Sequence, residues 1–362
     1  MRFIAYLTEP ATYTIDLVKN VHEQINIEYK YLQRETLVKT DASEYDFDSQ
    51  IYLNRYSLIK RFSTLFSDYK SYDAIIFNGY NRLDFILLFF IHIFSCRKTP
   101  IALESDTQLK IPTNFFKRLI KKMYLNVVFK NEYIHGLAGG NNTHRDLFSY
   151  YGMKDERIHF LPMVIDVNRY KNSNTKKEDK FTFIYVGRII EHKNIKQLLR
   201  VFSNTYSEQT QVQLKIVGGG NLLEDLKKQY FHCENIYFTG PLYGEELKSL
   251  YYTSHVLVLP SHYEPWGLVV NEALASGIPV IASQNVGSSY DLIKEGETGF
   301  TFDTNSDSSL EACLLKLSSM KKDNFTQIQF NSQELMHDYW NFNLYEKKIL
   351  TALRLMIGEK NS

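Results

Sequence analysis

A chain of 362 residues has room for two ordinary α/β domains, each with its own core. Its hydrophobic content of 44% and charged content of 23% are those of a globular protein and exclude a disordered one. Lys and Arg number 42 against 41 Asp and Glu, a balance that argues against bulk nucleic-acid binding and favours no other charged partner.

The N-terminal run Met1-Arg-Phe-Ile-Ala-Tyr-Leu7 reads as a first strand. It lacks the charged start, long apolar core and small-residue cleavage site of a signal peptide. Strand-like runs follow at Ile27–Leu32, Ala74–Phe77, Ile101–Leu103, Asn126–Phe129 and Ile158–Leu161, with helical stretches between them. This alternation predicts a doubly wound, Rossmann-like domain. Phe85–Phe94 is the longest apolar run, interrupted by His92; it is far too short to span a membrane and reads as the buried helix of that domain. Tyr72 to Tyr80 reads as a strand ending in a Gly turn, where it would face a cleft between domains. Lys110, Lys117, Arg118, Lys121, Lys122 and Lys130 occur in a stretch without any acid, interleaved with Phe115, Phe116, Leu119, Ile120, Met123 and Tyr124. Such a helix either lies on an anionic membrane or is an ordinary helix with a solvated basic face. His144 in Asn141-Asn-Thr-His-Arg145 reads as a helix-start residue.

Pro162–Lys180 is the clearest linker, polar and charged and without apolar periodicity. A second alternating series then runs through Phe181–Val186, Leu214–Val217, Ile236–Phe238, Val256–Leu259, Val280–Ala282 and Gly299–Phe302. A helix near Ser308–Met320 and an amphipathic helix at Tyr345–Met356 close the chain. Cys96, Cys233 and Cys313 are odd in number and far apart, and read as buried thiols of a reducing cytosol. His232 with Cys233, His255 and His262 lack metal-ligand spacing.

Chemistry concentrates in the second half. After a strand, Tyr185-Val-Gly-Arg-Ile-Ile-Glu-His-Lys193 places Gly187 in a turn and two cations five residues apart, Arg188 and Lys193, before a helix opening at Asn194. Arg188 suits bidentate capture of a diphosphate and Lys193 suits a mobile point charge, unless the two are a surface basic pair. Leu214-Lys-Ile-Val-Gly-Gly-Gly220 ends another strand on Gly218, Gly219 and Gly220, either a tight turn or a close approach to a ligand, and lacks the spacing of a dinucleotide fingerprint. In Ser261–Ser283 a strand leads into Glu264-Pro-Trp-Gly267, and helically spaced apolar residues end at Gly277 and Pro279. The helix terminus near Gly267 offers free N–H groups to a phosphate or a polar sugar. Glu272 lies five residues into that helix, roughly 7–8 Å along its axis. Two carboxylates on either side of an anion hole fit the hydroxyls of a sugar–diphosphate–ribose ligand. The alternative is that Glu264 caps the helix and Glu272 is a solvated face residue.

The gapless run Ser-x-x-Glu-Pro-x-Gly-Leu-x-x-x-Glu-Ala-x-Ala-x-Gly-x-Pro-Val-Ile-Ala resembles the signature of glycosyltransferase family 4, the retaining sugar-nucleotide-dependent GT-B enzymes (glycosyl transferases group 1). The strand-Gly-Arg-x-x-x-x-Lys run resembles that family's second signature, and Pro-x-x-Ile-Asp-Val-x-Arg-Tyr170 its hinge, with Met163 and Val164 in place of the usual Asn-Gly. The resemblance implies an α/β fold of two Rossmann-like domains facing a cleft. Residues 1–166 would bind the acceptor, 167–335 the nucleotide sugar, and 336–362 would hold a helix crossing back to the first domain.

It further implies that Arg188, Lys193 and Glu264 carry catalysis and that Glu264 contacts donor-sugar hydroxyls. The backbone of Trp266, Gly267, Leu268 and Val269 would meet sugar and phosphate, and Glu272 the ribose. Gly187, Gly218 and Gly219 would let the nucleotide approach, and Gly240, Pro241 and Leu242 would lie at the base. Trp266 stands where the family usually has Phe. The first half departs from the pattern, with Thr8-Glu-Pro-Ala-Thr12 instead of a Gly-Gly turn and Leu103-Glu-Ser-Asp-Thr107 where many relatives have a His. Asp106 or Glu104 is the candidate for that polar contact, the alternative being a strand-end acid capping a helix. The implied protein is a cytoplasmic, metal-independent glycosyltransferase without a cofactor, working at the inner face of the membrane. Its partners would be a sugar nucleotide, a saccharide or lipid-linked acceptor of bacterial surface polysaccharide synthesis, and anionic lipid. A non-catalytic sugar-nucleotide-binding subunit is the rival reading; a GT-B epimerase or phosphorylase lacks its lysine constellation.

Overall fold

The computed structural model describes residues 1–36, 45–141, 143–171 and 176–358. The chain divides into two compact units, Met1–Asp166 with Phe342–Ser362, and Val167–Asn341. Of the expected linker, residues 172–175 lie outside the described residues, as does Asn142 beside His144.

The first unit runs β1 Phe3–Leu7, α1 Thr12–Leu17, β2 Ile27–Tyr31, α2 Leu58–Ser71, β3 Ala74–Asn78, α3 Leu83–Phe94, β4 Ile101–Ser105, α4 Phe115–Lys130, β5 Ile134–Ala138, α5 Arg145–Tyr150 and β6 Ile158–Phe160. Its six strands are parallel in the order β2-β1-β3-β4-β5-β6. The crossovers through α2, α3, α4 and α5 all advance the same way, so right-handedness puts those four helices on one face of the sheet. The core there joins Tyr6, Ile75, Phe77 and Leu103 of the strands to Leu65 and Tyr69 of α2, Phe85 and Leu88 of α3, and Leu125 and Phe129 of α4. Side-chain caps start two of these helices: Ser57 accepts from the Lys60 N–H and Asn114 from the Lys117 N–H.

The second unit runs β7 Phe181–Val186, α6 Ile195–Thr205, β8 Val212–Val217, α7 Leu223–Gln229, β9 Ile236–Gly240, α8 Gly244–Thr253, β10 Val256–Leu259, α9 Leu268–Ala275, β11 Val280–Ser283, α10 Ser289–Leu292, β12 Gly299–Phe302, α11 Asp307–Ser318 and α12 Lys322–Glu334. Its parallel sheet has the order β12-β11-β10-β7-β8-β9. Helix α13, Phe342–Met356, belongs to the first unit, where Tyr345, Ile349 and Leu353 are buried and Tyr345 Oη lies 3.3 Å from His22 Nε2.

Several expectations need correction. Asn126–Phe129 is the last turn of α4, with Leu125, Val128 and Phe129 buried at helical spacing; the strand is Ile134–Ala138. His135 and Gly136 break that strand's apolar pattern, and a Cβ on Gly136 would meet the Phe148 ring at 2.8 Å. The break expected after residue 335 falls inside a helical turn, Leu335–Tyr339, that packs on α9, and the chain passes to the first unit only at Phe342. Met336 and Trp340 hold that turn, since both are buried. Of the cysteines only Cys313 is buried, and Cys96 is exposed. Finally, α3 is not a fully buried helix: Phe85, Leu88, Ile91 and His92 face the core, while Leu83, Ile86, Phe90, Ile93 and Phe94 are exposed.

Candidate functional site

In the second sheet β8 and β9 continue to one side of β7, whereas β10, β11 and β12 continue to the other. The strand order therefore reverses between β7 and β10, and a crevice opens at their carboxyl ends, where doubly wound sheets bind ligands. The loop after β7 carries Arg188 and Lys193; the loop after β10 carries Glu264.

Lys193 and Glu264 meet there. Lys193 Nζ forms an ion pair with Glu264 Oε2, both side chains mostly buried at 12% and 15% exposure. A backbone bond from the His262 N–H to the His192 carbonyl, 2.9 Å, ties the same two loops together. Arg188 is exposed, and among the described residues its guanidinium makes no hydrogen bond or ion pair. The buried Tyr185 holds that loop by donating from its hydroxyl to the Arg188 carbonyl at 2.7 Å. Burial pushes the Tyr185 hydroxyl far up; the Glu264 charge adds to this and the Arg188 charge opposes it, so all three side chains share one electrostatic neighbourhood.

Gly267 is the N-cap of α9, with φ 90°. A side chain is strained at that angle, and a Cβ would meet Glu264 Cγ and Leu259 Cδ2 at 3.1 Å, so the glycine lets the Glu264 loop fold onto the helix start. No side chain caps α9, and among the described residues the Leu268 and Val269 N–H groups have no acceptor. They leave a partial positive charge beside the Lys193–Glu264 pair. Trp266 turns the other way: its indole is buried, donates to Asn271 Oδ1 at 2.8 Å and stacks on Trp340 at 5.8 Å. The extra bulk relative to Phe is thus taken up in the core, and only the backbone of Trp266 belongs to the loop.

Farther along α9, Glu272 accepts from the Tyr251 hydroxyl at 2.8 Å. Burial pushes its carboxyl up to about 7, partly offset by hydrogen bonds from Tyr251 and Tyr170. Neither tyrosine is signalled by the motif, because α8 and the Val167–Tyr170 turn reach α9 only in the folded unit. Glu272 is therefore neither a free surface acid nor a partner of Lys193.

The glycine loop after β8 divides its labour. A Cβ on Gly218 would stand 1.8 Å from the Gly187 carbonyl oxygen, and one on Gly220 2.2 Å from that of Ile189, so these two allow the loops after β7 and β8 to pack. Gly219 has nothing within 4 Å and faces open space. Gly218 N–H donates to the Gly240 carbonyl at 2.9 Å, which brings the Gly240-Pro-Leu242 loop alongside.

Asp106 lies in the first unit, in a cavity of about 470 Å³ at that sheet's own reversal point between β1 and β3. Glu104, Asp106, Glu9, Asn78 and Arg82 line it. Burial, and then the Asp106 charge, push Glu104 up to about 7, with a hydrogen bond from Asn78 opposing them. His144 is the N-cap of α5 and fully buried. Among the described residues no group of three or more His, Cys, Asp or Glu could hold a metal ion.

The fold and these loops define the class. Residues 166–331 match the family described as Glycosyl transferases group 1, a stretch that takes in nearly all of the second unit. The second unit is thus similar to this family, and the chain's fold is the α/β fold of GT-B proteins. Sulfoquinovosyl transferase SQD2 of Arabidopsis thaliana is 35% identical over 162 residues, 44% of this chain and 30% of that protein. Alpha-monoglucosyldiacylglycerol synthase of Streptococcus pneumoniae is 31% identical over 168 residues, 42% of this chain and 38% of its own length. The chain thus spans well under half of the length of the curated relatives it matches. Among solved structures, Anabaena HepE in complex with UDP and glucose shares the fold with a TM-score of 0.69 at 15% identity, over 98% of this chain and 100% of that one.

Proposed function

We propose that this chain is a retaining, metal-independent glycosyltransferase that moves a sugar from a nucleoside diphosphate to a hydroxyl acceptor. The observation that carries this reading is the Lys193–Glu264 pair across the β7/β10 reversal point, with the exposed Arg188 on one loop and the open start of α9 behind the other. Arg188 would take the diphosphate bidentately and Lys193 as a point charge, while the Leu268 and Val269 N–H groups add donors. Glu264, released by Lys193, would accept from donor-sugar hydroxyls. Glu272, steadied by Tyr251, would hold the ribose, with the base near Gly240, Pro241 and Leu242.

Catalysis in this scheme is electrostatic. The acceptor oxygen bonds to the anomeric carbon on the face from which the diphosphate departs. The carbon–oxygen bond to phosphate breaks, and a phosphate oxygen takes the acceptor proton. The first-unit cavity would hold the acceptor, with Asp106 or Glu104 against the reacting sugar. The HepE complex with UDP and glucose supports a sugar-nucleotide donor. The name of the diacylglycerol-sugar synthase supports a lipid or lipid-linked acceptor. In this scheme the acceptor belongs to surface polysaccharide synthesis and is reached from the cytoplasm at the inner membrane face.

Arg188→Ala and Glu264→Ala should each lower turnover by at least about a hundredfold, the scale of losing a key electrostatic group. Near-normal rates in either variant would remove that residue from the mechanism. Slow donor hydrolysis by the purified protein, read as nucleotide release, distinguishes an enzyme from a non-catalytic sugar-nucleotide-binding subunit. Thermal stabilisation across a panel of nucleotide sugars would identify the donor.

A further inference from the structure

Apart from the buried Asp84 and His92, helix α3 is apolar on every side, yet the fold covers only half of it. Ile86, Phe90, Ile93 and Phe94 form a stripe at helical spacing on the side away from the sheet, with Phe90 55% and Phe94 73% exposed. A helix of this kind ordinarily has something against both faces. The neighbouring helices extend the patch, since α2, α3 and α4 share one face of the sheet and one core. On α2, Ile59, Phe62 and Phe66 are exposed; on α4, Phe116, Ile120, Met123 and Val127 are, the first two at 71% and 68%. Exposed aromatic rings already pair on the surface, Phe62 with Phe66 and Phe90 with Phe94. So many exposed apolar side chains on helices that share one face of the sheet mark an interaction site.

Charge says what covers it. The exposed charges of the three helices include Lys60, Lys70, Lys117, Arg118 and Lys122, all cationic. The acids of these helices, Asp68 and Asp84, are buried and paired with Lys30 and Arg61. A second copy of the chain would set cations against cations, and a nucleic acid would leave the apolar side chains in water. An anionic bilayer satisfies both, with phosphates at the lysines and acyl carbon at the Phe and Ile side chains. A groove of about 420 Å³ beside α4 repeats this chemistry, with Phe115, Leu119 and Tyr150 as walls and Arg118 and Lys122 beside them. Among the described residues no helix is long and apolar enough to cross a membrane.

We infer that the outer face of α2, α3 and α4 docks on anionic phospholipid by inserting the apolar stripe of α3, with the α4 cations and groove on the headgroups. This deepens the reading of the chain as a transferase with a lipid-linked acceptor, on which it rests for its purpose, by naming the surface and the force: apolar insertion rather than charge alone. The test is sedimentation of the full chain with phosphatidylcholine vesicles, with and without one-third phosphatidylglycerol, at low and half-molar salt. The wild type should pellet with the anionic vesicles and keep most of its binding in high salt. Ile86→Ser/Phe90→Ser/Phe94→Ser, all exposed positions, should lower partitioning at least about tenfold with an unchanged melting temperature. Lys117→Glu/Arg118→Glu/Lys122→Glu should lower only the salt-sensitive part. Wild type left in the supernatant, or a triple serine variant that pellets as well as wild type, would overturn the inference. So would a wild-type dimer in sedimentation equilibrium that the serine substitutions dissolve, because a second copy would then be the occupant. Nucleotide release, measured on the same proteins without lipid, tests the transferase reading separately: its absence alongside intact vesicle binding sinks that reading and leaves the docking surface standing.

Discussion

Lys193→Met removes the cation of the Lys193–Glu264 pair while keeping most of the volume of its side chain. The pair is mostly buried, with Glu264 only 15% exposed, so the carboxylate left behind has little water to replace its partner. Breaking such a pair from one side costs about 2–5 kcal/mol when burial is complete, and some residual exposure argues for the low end. A loss of about 2 kcal/mol lowers the melting temperature of a unit this size by roughly 4–8 °C. Lys193→Met/Glu264→Gln should recover at least about half of that, because no unpaired charge remains. The same geometry bears on ligand binding. If Lys193 grips the diphosphate during turnover, Glu264 competes with the ligand for it. Glu264→Gln should therefore bind UDP or GDP about three- to tenfold more tightly than wild type, on the order of 1 kcal/mol, although its turnover falls. Lys193→Met should bind the same nucleotide more weakly. Calorimetric titration and thermal melts of the single and double variants read both effects. An unaltered melting temperature in Lys193→Met, together with weaker diphosphate binding in Glu264→Gln, would refute the competition.

Three further outcomes are expected. Gly218→Ala forces a Cβ to 1.8 Å from the Gly187 carbonyl oxygen and should destabilise the second unit by about 3 kcal/mol or more in urea melts, whereas Gly219→Ala, with nothing within 4 Å, should fold normally and raise KM only. Glu272 has its folded-state carboxyl raised to about 7 against the ordinary 4.5, so the folded protein binds the extra proton and stability falls as pH rises between those values. Glu272→Gln should flatten that part of the curve of melting temperature against pH, and an unchanged slope would count against the buried carboxyl. Trp266→Phe leaves Asn271 without its indole donor and should cost about 1–3 kcal/mol of stability, yet change turnover less than about threefold, because the ring points into the core. A large loss of turnover at full stability would put that ring in the donor pocket.

Much of the candidate site was legible because its elements are local. Arg188 and Lys193 follow one strand, and Glu264, Gly267 and Glu272 follow another, with the spacing of the two loops written along the chain. Secondary structure was legible for the same reason wherever apolar periodicity was clean, as in β7, β10 and α13. It failed at Asn126–Phe129, where a short apolar run bears no mark separating a strand from a helix end, and at Ile134–Ala138, where His135 and Gly136 interrupt the pattern. Burial was not legible for α3, because Phe85 and Phe90 are alike as residues and differ only in which side of the helix meets the sheet.

The sequence by itself determined the alternation of strand and helix, the halves of the chain, and the set of charged and glycine residues in the loops after β7, β8 and β10. Only tertiary structure decided that Lys193 is held by Glu264, that Glu272 is tuned by Tyr251 and Tyr170, that Trp266 turns inward onto Trp340, and that three helices leave an apolar basic face uncovered. The reason is physical: propensity and periodicity act within a few residues, whereas the partner of a charge and the covering of a side chain depend on groups far away in sequence that packing alone brings within reach.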